Sequence, residues 1–280
     1  MFSTIAGVDD LAAHLNDPAW VIIDCRHLLQ DVDAGRRMYE AAHIPGAFFA
    51  HGEHDSAGER TGSNGRHPLP DPQHFAAFLR ELGVNDDTQI IAYDSGADMW
   101  AARFWYVCRY IGHEAAAVLD GGFAAWSGMG KPVTAQVPVK PCNGTITPHV
   151  HAELAVDADA VLQSLESKSF SIIDARGPDR FRGENETIDP VGGHIPGAVN
   201  RPFRSNYAGP FGQFKKPDEL RAEFEAFGQP ERLVHQCGSG VSATVNLLAM
   251  EIAGLHGARL YPGSWSEWCA DPSRPISLSS

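Results

Sequence analysis

Apolar residues in this chain fall into short unbroken runs separated by longer stretches with helical spacing. Residues 21–23, 90–92, 171–173 and 233–234 hold the continuous runs Val21-Ile22-Ile23, Ile90-Ile91-Ala92, Ile172-Ile173 and Leu233-Val234. Runs this short, with no polar alternation, read as strands covered on both faces. Between them, residues 72–82, 99–111, 157–166 and 217–227 carry apolar residues three or four apart, which predicts amphipathic helices. Alternating strand and helix predicts an α/β fold with parallel sheets and helices on both faces. Residues 131–152 break the pattern. They hold Pro132, Pro138, Pro141, Gly144 and Pro148 without helical periodicity, and read as a linker.

The chain repeats itself. Val21-Ile22-Ile23-Asp24-Cys25-Arg26 returns as Ser171-Ile172-Ile173-Asp174-Ala175-Arg176. Ala42-His43-Ile44-Pro45-Gly46-Ala47 returns as Gly193-His194-Ile195-Pro196-Gly197-Ala198, and Gly121-Gly122-Phe123-Ala124-Ala125-Trp126 as Gly263-Ser264-Trp265-Ser266-Glu267-Trp268. The order is kept and the offsets are nearly constant, at 150, 151 and 142 residues. Two copies of one domain are expected, at 1–130 and 153–280, joined by 131–152. A length of 280 residues allows each its own core.

The copies differ at one position that matters. In the second, the run at 233–234 leads to Cys237-Gly238-Ser239-Gly240-Val241-Ser242, followed by a helical pattern from Ala243 to Gly254. Strand, tight loop and helix make a mouth whose amides point inward, with the positive end of a helix dipole behind them. A cysteine at its base is expected to be a thiolate at neutral pH. The glycines let the backbone curl around whatever the sulfur binds. In the first copy Asp94 stands opposite Cys237. It cannot carry sulfur, so that copy is expected to be non-catalytic.

These features resemble the tandem-domain rhodanese family of sulfurtransferases over essentially the whole chain. The likeness rests on both Asp-x-Arg strand ends, both His-Ile-Pro-Gly-Ala segments, Gly65-Arg66-His67-Pro68-Leu69-Pro70, the Cys237 loop and Tyr261-Pro262-Gly263-Ser264-Trp265-Ser266-Glu267-Trp268. The resemblance implies two rhodanese-like domains and a persulfide on Cys237, formed from a small sulfur donor and passed to thioredoxin, glutathione, another thiol or cyanide. The Cys-Gly-Ser-Gly-Val loop resembles the 3-mercaptopyruvate branch, and thiosulfate is the alternative donor. The likeness makes Arg180 a ligand for the donor's carboxylate, a role that suits a guanidinium. The second arginine of the family is absent from the acidic stretch 184–189, and Arg182, Arg201 or Arg204 could replace it. By the same likeness Ser239 joins a Ser-His-Asp relay with His67, which would reach the loop from the first copy and put the site between the domains. Glu53 or Asp55 would be the acid. The alternative is a plain interface histidine. Ser242, next to the helix start, is expected to be an N-cap.

Other residues read as structural. Asp24 with Arg26 and Asp174 with Arg176 are expected as buried pairs. His43, His194, Trp126 and Trp268 occur in both copies, which argues against catalysis. Cys25 and Cys108 read as core thiols, and Cys142 and Cys269 as exposed ones. Composition narrows the function further. A net charge of −13 disfavours nucleic acid and anionic membranes as partners. No apolar run approaches the roughly 20 residues of a membrane span, and the N-terminus lacks signal-peptide character. Five cysteines without Cys-x-x-Cys or zinc spacing fit a reduced cytoplasmic protein that needs no metal or other cofactor. A phosphatase on a similar loop needs an arginine six residues after the cysteine, where this chain has Ala243. A non-catalytic carrier module would not need the complete loop.

Overall fold

The computed structural model describes residues 1–140 and 142–278. Pro141, counted above in the linker, and the last two residues of 153–280 lie outside them. The chain forms two compact units. One comprises Met1–Gly58, Leu69–His151 and Tyr207–Phe214, the other Glu59–Pro68, Ala152–Asn206 and Lys215–Ser280.

The first unit contains β1 (Ile5–Ala6), α1 (Val8–Ala13), β2 (Trp20–Asp24), α2 (Ala34–Ala41), β3 (Phe48–Phe49), α3 (Pro72–Glu81), β4 (Gln89–Tyr93), α4 (Trp100–Tyr110), β5 (Ala116–Leu119) and α5 (Gly122–Gly128). Its strands lie in the order β1-β5-β4-β2-β3, all pairs parallel. The apolar runs sit in the middle, with Ile22 beside Ile91 and Ile90 beside Ala116. The core packs Leu11, Ile22, Ile44, Ile91, Tyr93 and Trp126. Burying an aliphatic side chain of this size contributes about 1.5–3 kcal/mol. α3 begins where its sequence says it should: Pro72 fixes the first turn, and the Asp71 carboxylate accepts the N–H groups of Gln73 and His74.

After Ala152, the chain adds α6 (Ala158–Ser167), β6 (Ser171–Asp174), α7 (Pro178–Arg182) and β7 (Val199–Asn200). It then passes through β8 (Tyr207–Ala208) and β9 (Gln213–Phe214), an antiparallel pair that belongs to the first unit. There the Tyr207 hydroxyl donates to the Asp98 carbonyl, and Phe214 N–H donates to the Asp120 carboxylate. The second unit continues with α8 (Pro217–Glu225), β10 (Leu233–Gln236), α9 (Ala243–Ile252), β11 (Arg259–Leu260) and α10 (Ser264–Trp268). Its parallel sheet runs β11-β10-β6-β7. Val161, Ile172, Ile195, Val234, Tyr261, Trp265 and Trp268 form the core.

The repeated motifs build the same brace in each unit. Arg26 forks onto Asp24 and donates from Nη2 to the Ala42 carbonyl. Arg176 forks onto Asp174 and donates to the Gly193 carbonyl. Each pair therefore ties a strand end to the segment leading into His-Ile-Pro-Gly. His43 and His194 bond backbone carbonyls through their rings, at Tyr39 and Phe181 respectively. The Trp126 and Trp268 indoles donate to the Pro132 and Pro275 carbonyls.

The described residues of the expected linker 131–152 that precede Ala152 belong to the first unit. His43 and Thr134 exchange backbone bonds, Gly144 donates to Arg80, Ile146 to Val84, His149 to Ile111 and His151 to Tyr110. These contacts stitch the expected linker along the first unit, and they bury Ile146. Cys25 and Cys108 are buried thiols whose ionisation burial pushes upward. Cys142 is exposed. Cys269, expected to be exposed, is buried, which pushes its thiol up to about 11. It ends α10 and packs in the second core with Trp265 and Trp268.

Candidate active site

β10 ends at Gln236, and Cys237 opens the six-residue loop that feeds α9. α9 is buried from Ala243 to Met250, so the element behind the loop is fixed by apolar packing. Cys237 is 2% exposed. Its N–H donates to the Ser264 hydroxyl at 3.1 Å, which in turn donates to the Tyr261 carbonyl. Its carbonyl accepts Trp265 N–H, and the Gly238 carbonyl accepts Ser266 N–H. Thus α10 holds the base of the loop. Among the described residues, the N–H groups of Gly238, Ser239, Val241 and Ser242 have no protein acceptor. They are donors left over at the N-terminus of a ten-residue helix.

In the first unit a carboxyl stands where the sulfur stands in the second, and burial raises its pKa despite the bonds it accepts from the backbone. Asp94 follows β4 as Cys237 follows β10. Its carboxylate accepts the N–H of Gly96 and of Ala101, both at 3.0 Å. In that unit the cradle is filled by a side chain of its own.

Ser264, assigned no role from the sequence, contacts the candidate nucleophile's backbone. Its φ of 54° is left-handed, costly for a residue with a Cβ. The matching residue of the first copy, Gly122, has φ 55°. The signal was therefore present in the repeat: a serine where the backbone calls for glycine, with its hydroxyl bonded to Cys237.

Ser239 is buried, and its hydroxyl lies 2.8 Å from Nδ1 of His67. The expected pairing of Ser239 with His67 is present, but its setting needs correction. Residues Glu59–Pro68 fold as part of the second unit, so His67 does not reach the loop from the first copy. The segment is pinned by a close approach at Gly65, whose φ is +81° and where a Cβ would lie 2.6 Å from the Gly263 carbonyl oxygen. It is also pinned by Arg66 N–H donating to the Ser266 hydroxyl. Of the two acids considered, Asp55 belongs to the first unit and accepts His51 N–H. Glu53 belongs there as well. Ser242 occupies the N-cap position of α9, but its hydroxyl makes no capping bond, contrary to expectation. Its backbone is already in the helical region, with φ −68° and ψ −19°, so the side chain is not swung over the first turn.

Arg180 lies in α7 with its guanidinium at the loop. A Cβ on Gly238 would stand 3.5 Å from both Nη1 and Nη2 of Arg180 and 2.9 Å from Nη2 of Arg66. Arg66, which adjoins His67 in sequence and is not among the replacements weighed above for a second carboxylate ligand, thus stands with Arg180 beside Gly238. The three replacements weighed for that role lie elsewhere. Arg182 is half-exposed and pairs with Glu184. Arg201 is buried and bonded to Asn206, Asn246 and Glu223. Arg204 is exposed and lies over the Phe203 ring.

The acidic stretch that replaces the expected arginine comes back onto these cations. Glu186 takes a forked pair of bonds from Arg180. Asp189 is bound by Arg180 through one oxygen and by Arg66 through the other. The two carboxylates titrate in opposite directions. Burial raises the Glu186 carboxyl, but bonds from Arg180 and from the amides of Asp189 and Ile188 outweigh it and hold it low. Burial dominates at Asp189 and keeps it above the usual carboxylate range despite both arginines. Among the described residues, no cluster of His, Cys, Asp and Glu could hold a metal ion. No helix there is long and apolar enough to cross a membrane.

The comparisons agree with this architecture. The rhodanese-like domain family matches residues 7–129 and 157–271. A Pseudomonas aeruginosa protein named "Probable 3-mercaptopyruvate sulfurtransferase" is 44% identical over 95% of both chains. The thiosulfate sulfurtransferase of Rattus norvegicus is 34% identical over 90% of this chain and 85% of its own. The crystal structure of the 3-mercaptopyruvate sulfotransferase SseA from Escherichia coli superposes with a TM-score of 0.81 at 35% identity, covering 94% of this chain and 99% of that one. A duplicated parallel α/β unit, one copy with a cysteine and the other with an aspartate in the same loop, and relatives matched over nearly their full length place this chain in the tandem-domain rhodanese family of sulfurtransferases.

Proposed function

We propose that this protein moves a sulfur atom from 3-mercaptopyruvate to a thiol or to cyanide through a persulfide on Cys237. The observation that carries this reading is the loop itself: a sulfur at its base, unused amides around it, and two guanidinium groups at its mouth. The Cys237 thiolate attacks the donor's thiol sulfur, and the carbon–sulfur bond breaks. Its electron pair passes to the pyruvate enolate, which takes a proton and leaves as pyruvate. The loop amides hold the persulfide, in the way that the amides of Gly96 and Ala101 bond the Asp94 carboxylate in the first unit. An acceptor thiolate or cyanide then attacks the outer sulfur and releases Cys237 as thiolate. Such a two-step covalent cycle gives ping-pong kinetics.

The 2.8 Å contact between His67 and Ser239 supports a proton path from the imidazole through the hydroxyl to the enolate. Arg180 is the ligand we assign to the donor's carboxylate. The loop residues 238–242 include no cation, and the two guanidinium groups at the mouth are already matched by Glu186 and Asp189, so thiosulfate's second charge would rest on amides and a helix terminus. One planar carboxylate suits one guanidinium fork better. Relatives named for either donor make thiosulfate the second reading. Thioredoxin and glutathione are candidate acceptors. Five free cysteines suit work in a reducing compartment such as the cytoplasm.

The test is direct. Wild-type protein incubated with 3-mercaptopyruvate gains one sulfur atom on the peptide holding Cys237, and Cys237→Ser loses both the adduct and turnover. Sulfur found instead on Cys142 or Cys269 would refute the assignment. Arg180→Ala raises KM for mercaptopyruvate by a loss of about 1.5–3 kcal/mol, the worth of a charged hydrogen bond. Wild-type kcat/KM higher with thiosulfate would reverse the choice of donor.

A further inference from the structure

We propose that Asp189 is a specificity-determining residue, a resident carboxylate seated across Arg66 and Arg180 that a monocarboxylate donor replaces and that screens the two cations from a dianion. The inference rests on the reading of Arg180 as the donor's ligand and adds to it the partner that holds the site between turnovers. Its two oxygens are shared between two guanidinium groups, as a donor's carboxylate would be. Both guanidinium groups stand at Gly238, the residue after the nucleophile. Their side chains are partly open to solvent, at 26% for Arg66 and 20% for Arg180. The Asp189 side chain is only 2% exposed. The cations are thus reachable from solvent while the carboxylate seated on them is buried.

The charges decide which donor benefits. Arg66 and Arg180 carry two positive charges, and Asp189 and Glu186 carry two negative ones. Glu186 is held firmly, by the Arg180 fork, by the N–H groups of Ile188 and Asp189, and by Arg176 at 3.6 Å. Among the described residues the Asp189 carboxylate is bonded by the two arginines alone, and for it burial outweighs them. It is therefore the carboxylate that yields. A donor with one carboxylate takes its place with no change in the charge count. A dianion brings one more negative charge than it displaces. One extra unit charge facing the arginine pair at the effective dielectric of a protein site changes binding by about tenfold or more, and salt reduces this.

Full-length Asp189→Asn keeps the shape of the side chain and leaves the arginine pair with one net positive charge. With cyanide as acceptor, the ratio of kcat/KM for thiosulfate to that for mercaptopyruvate is expected to rise by about tenfold or more, mostly through KM. Inhibition by sulfate, used as an unreactive dianion, is expected to tighten more than inhibition by pyruvate. Arg66→Gln removes a cation and is expected to move the ratio the other way, so the inference stays testable if Asp189→Asn fails to fold. An unchanged ratio, or equal weakening with both donors, would mean that Asp189 only braces Arg180 and would overturn the inference. If that happened while Arg180→Ala raised KM for mercaptopyruvate, the reading of Arg180 would survive. If Arg180→Ala left KM unchanged, both would fall.

Discussion

The same substitution at two glycines of the Cys237 loop should produce two different defects. Gly240 has φ +74°, and a Cβ there would drive into the Pro262 carbonyl oxygen while lying 3.0 Å from Pro262 C and Cα. A left-handed backbone costs a residue with a side chain about 1–2 kcal/mol, and overpacking against a fixed backbone typically costs about 1–3 kcal/mol. Pro262 cannot retreat freely, because Gly263 and Ser264 follow it and Ser264 holds Cys237 N–H. Gly240→Ala should therefore cost about 2–5 kcal/mol, or roughly 5–15 °C in Tm for a chain of this size, with activity falling as the loop shifts. Gly238 lies outside the left-handed region. The atoms nearest its Cβ would be the tips of Arg66 and Arg180, flexible side-chain ends that can swing away. Gly238→Ala should leave Tm within about 2 °C but raise KM for mercaptopyruvate, because the displaced groups are those assigned to the donor's carboxylate. Thermal unfolding and steady-state kinetics on both variants decide the matter. A wild-type Tm for Gly240→Ala, or equal destabilisation by the two changes, would refute this account of the loop.

Other expectations follow from the same geometry. His67→Ala should reduce turnover with mercaptopyruvate more than with thiosulfate, since sulfite leaves as a stable anion and an enolate needs a proton. Equal losses in a two-donor assay would leave His67 a structural part. A fragment of residues 153–280 lacks Glu59–Pro68 and with it Arg66 and His67, so it should lose most activity. Adding a synthetic peptide of 59–68 should restore little at micromolar concentration, and a fully active fragment would refute the role of that segment. His235 is fully buried, with Nδ1 unpartnered among the described residues, and burial lowers it to about 3. Its unfolded value is near 6.5, so below that pH the unfolded chain takes up a proton that the folded chain refuses. Stability contributed by neutral His235 is thus present above about pH 6.5 and lost as pH falls towards 3, by about 2 kcal/mol between pH 7 and pH 5. In denaturant titrations at those two pH values, His235→Leu should flatten the difference; an unchanged slope would refute this.

What the chain determined alone was whatever rests on neighbouring residues. Apolar runs located the central strands, and Asp71-Pro72 marked the start of α3. The repeated motifs revealed two units and predicted the Asp24–Arg26 and Asp174–Arg176 pairs, which need only two residues of separation. Cys237 against Asp94 distinguished the copies, because a cysteine before a glycine loop and a helix is a local signal. The rest depended on contacts between distant residues. Arg66 and Asp189 meet across 123 positions and His67 and Ser239 across 172, and no periodicity encodes such a meeting. The sequence pattern assigned residues 59–68 to the first copy and 207–214 to the second. Folding puts each with the other unit, because Gly65 and Arg66 find their partners on α10 and its approach, while Tyr207 and Phe214 find theirs at Asp98 and Asp120. The acidic stretch read as the loss of an arginine. Only the tertiary structure turns it into a carboxylate held between two arginines at the Cys237 loop, because ion pairing in a buried site depends on which charges the fold brings within a few ångströms.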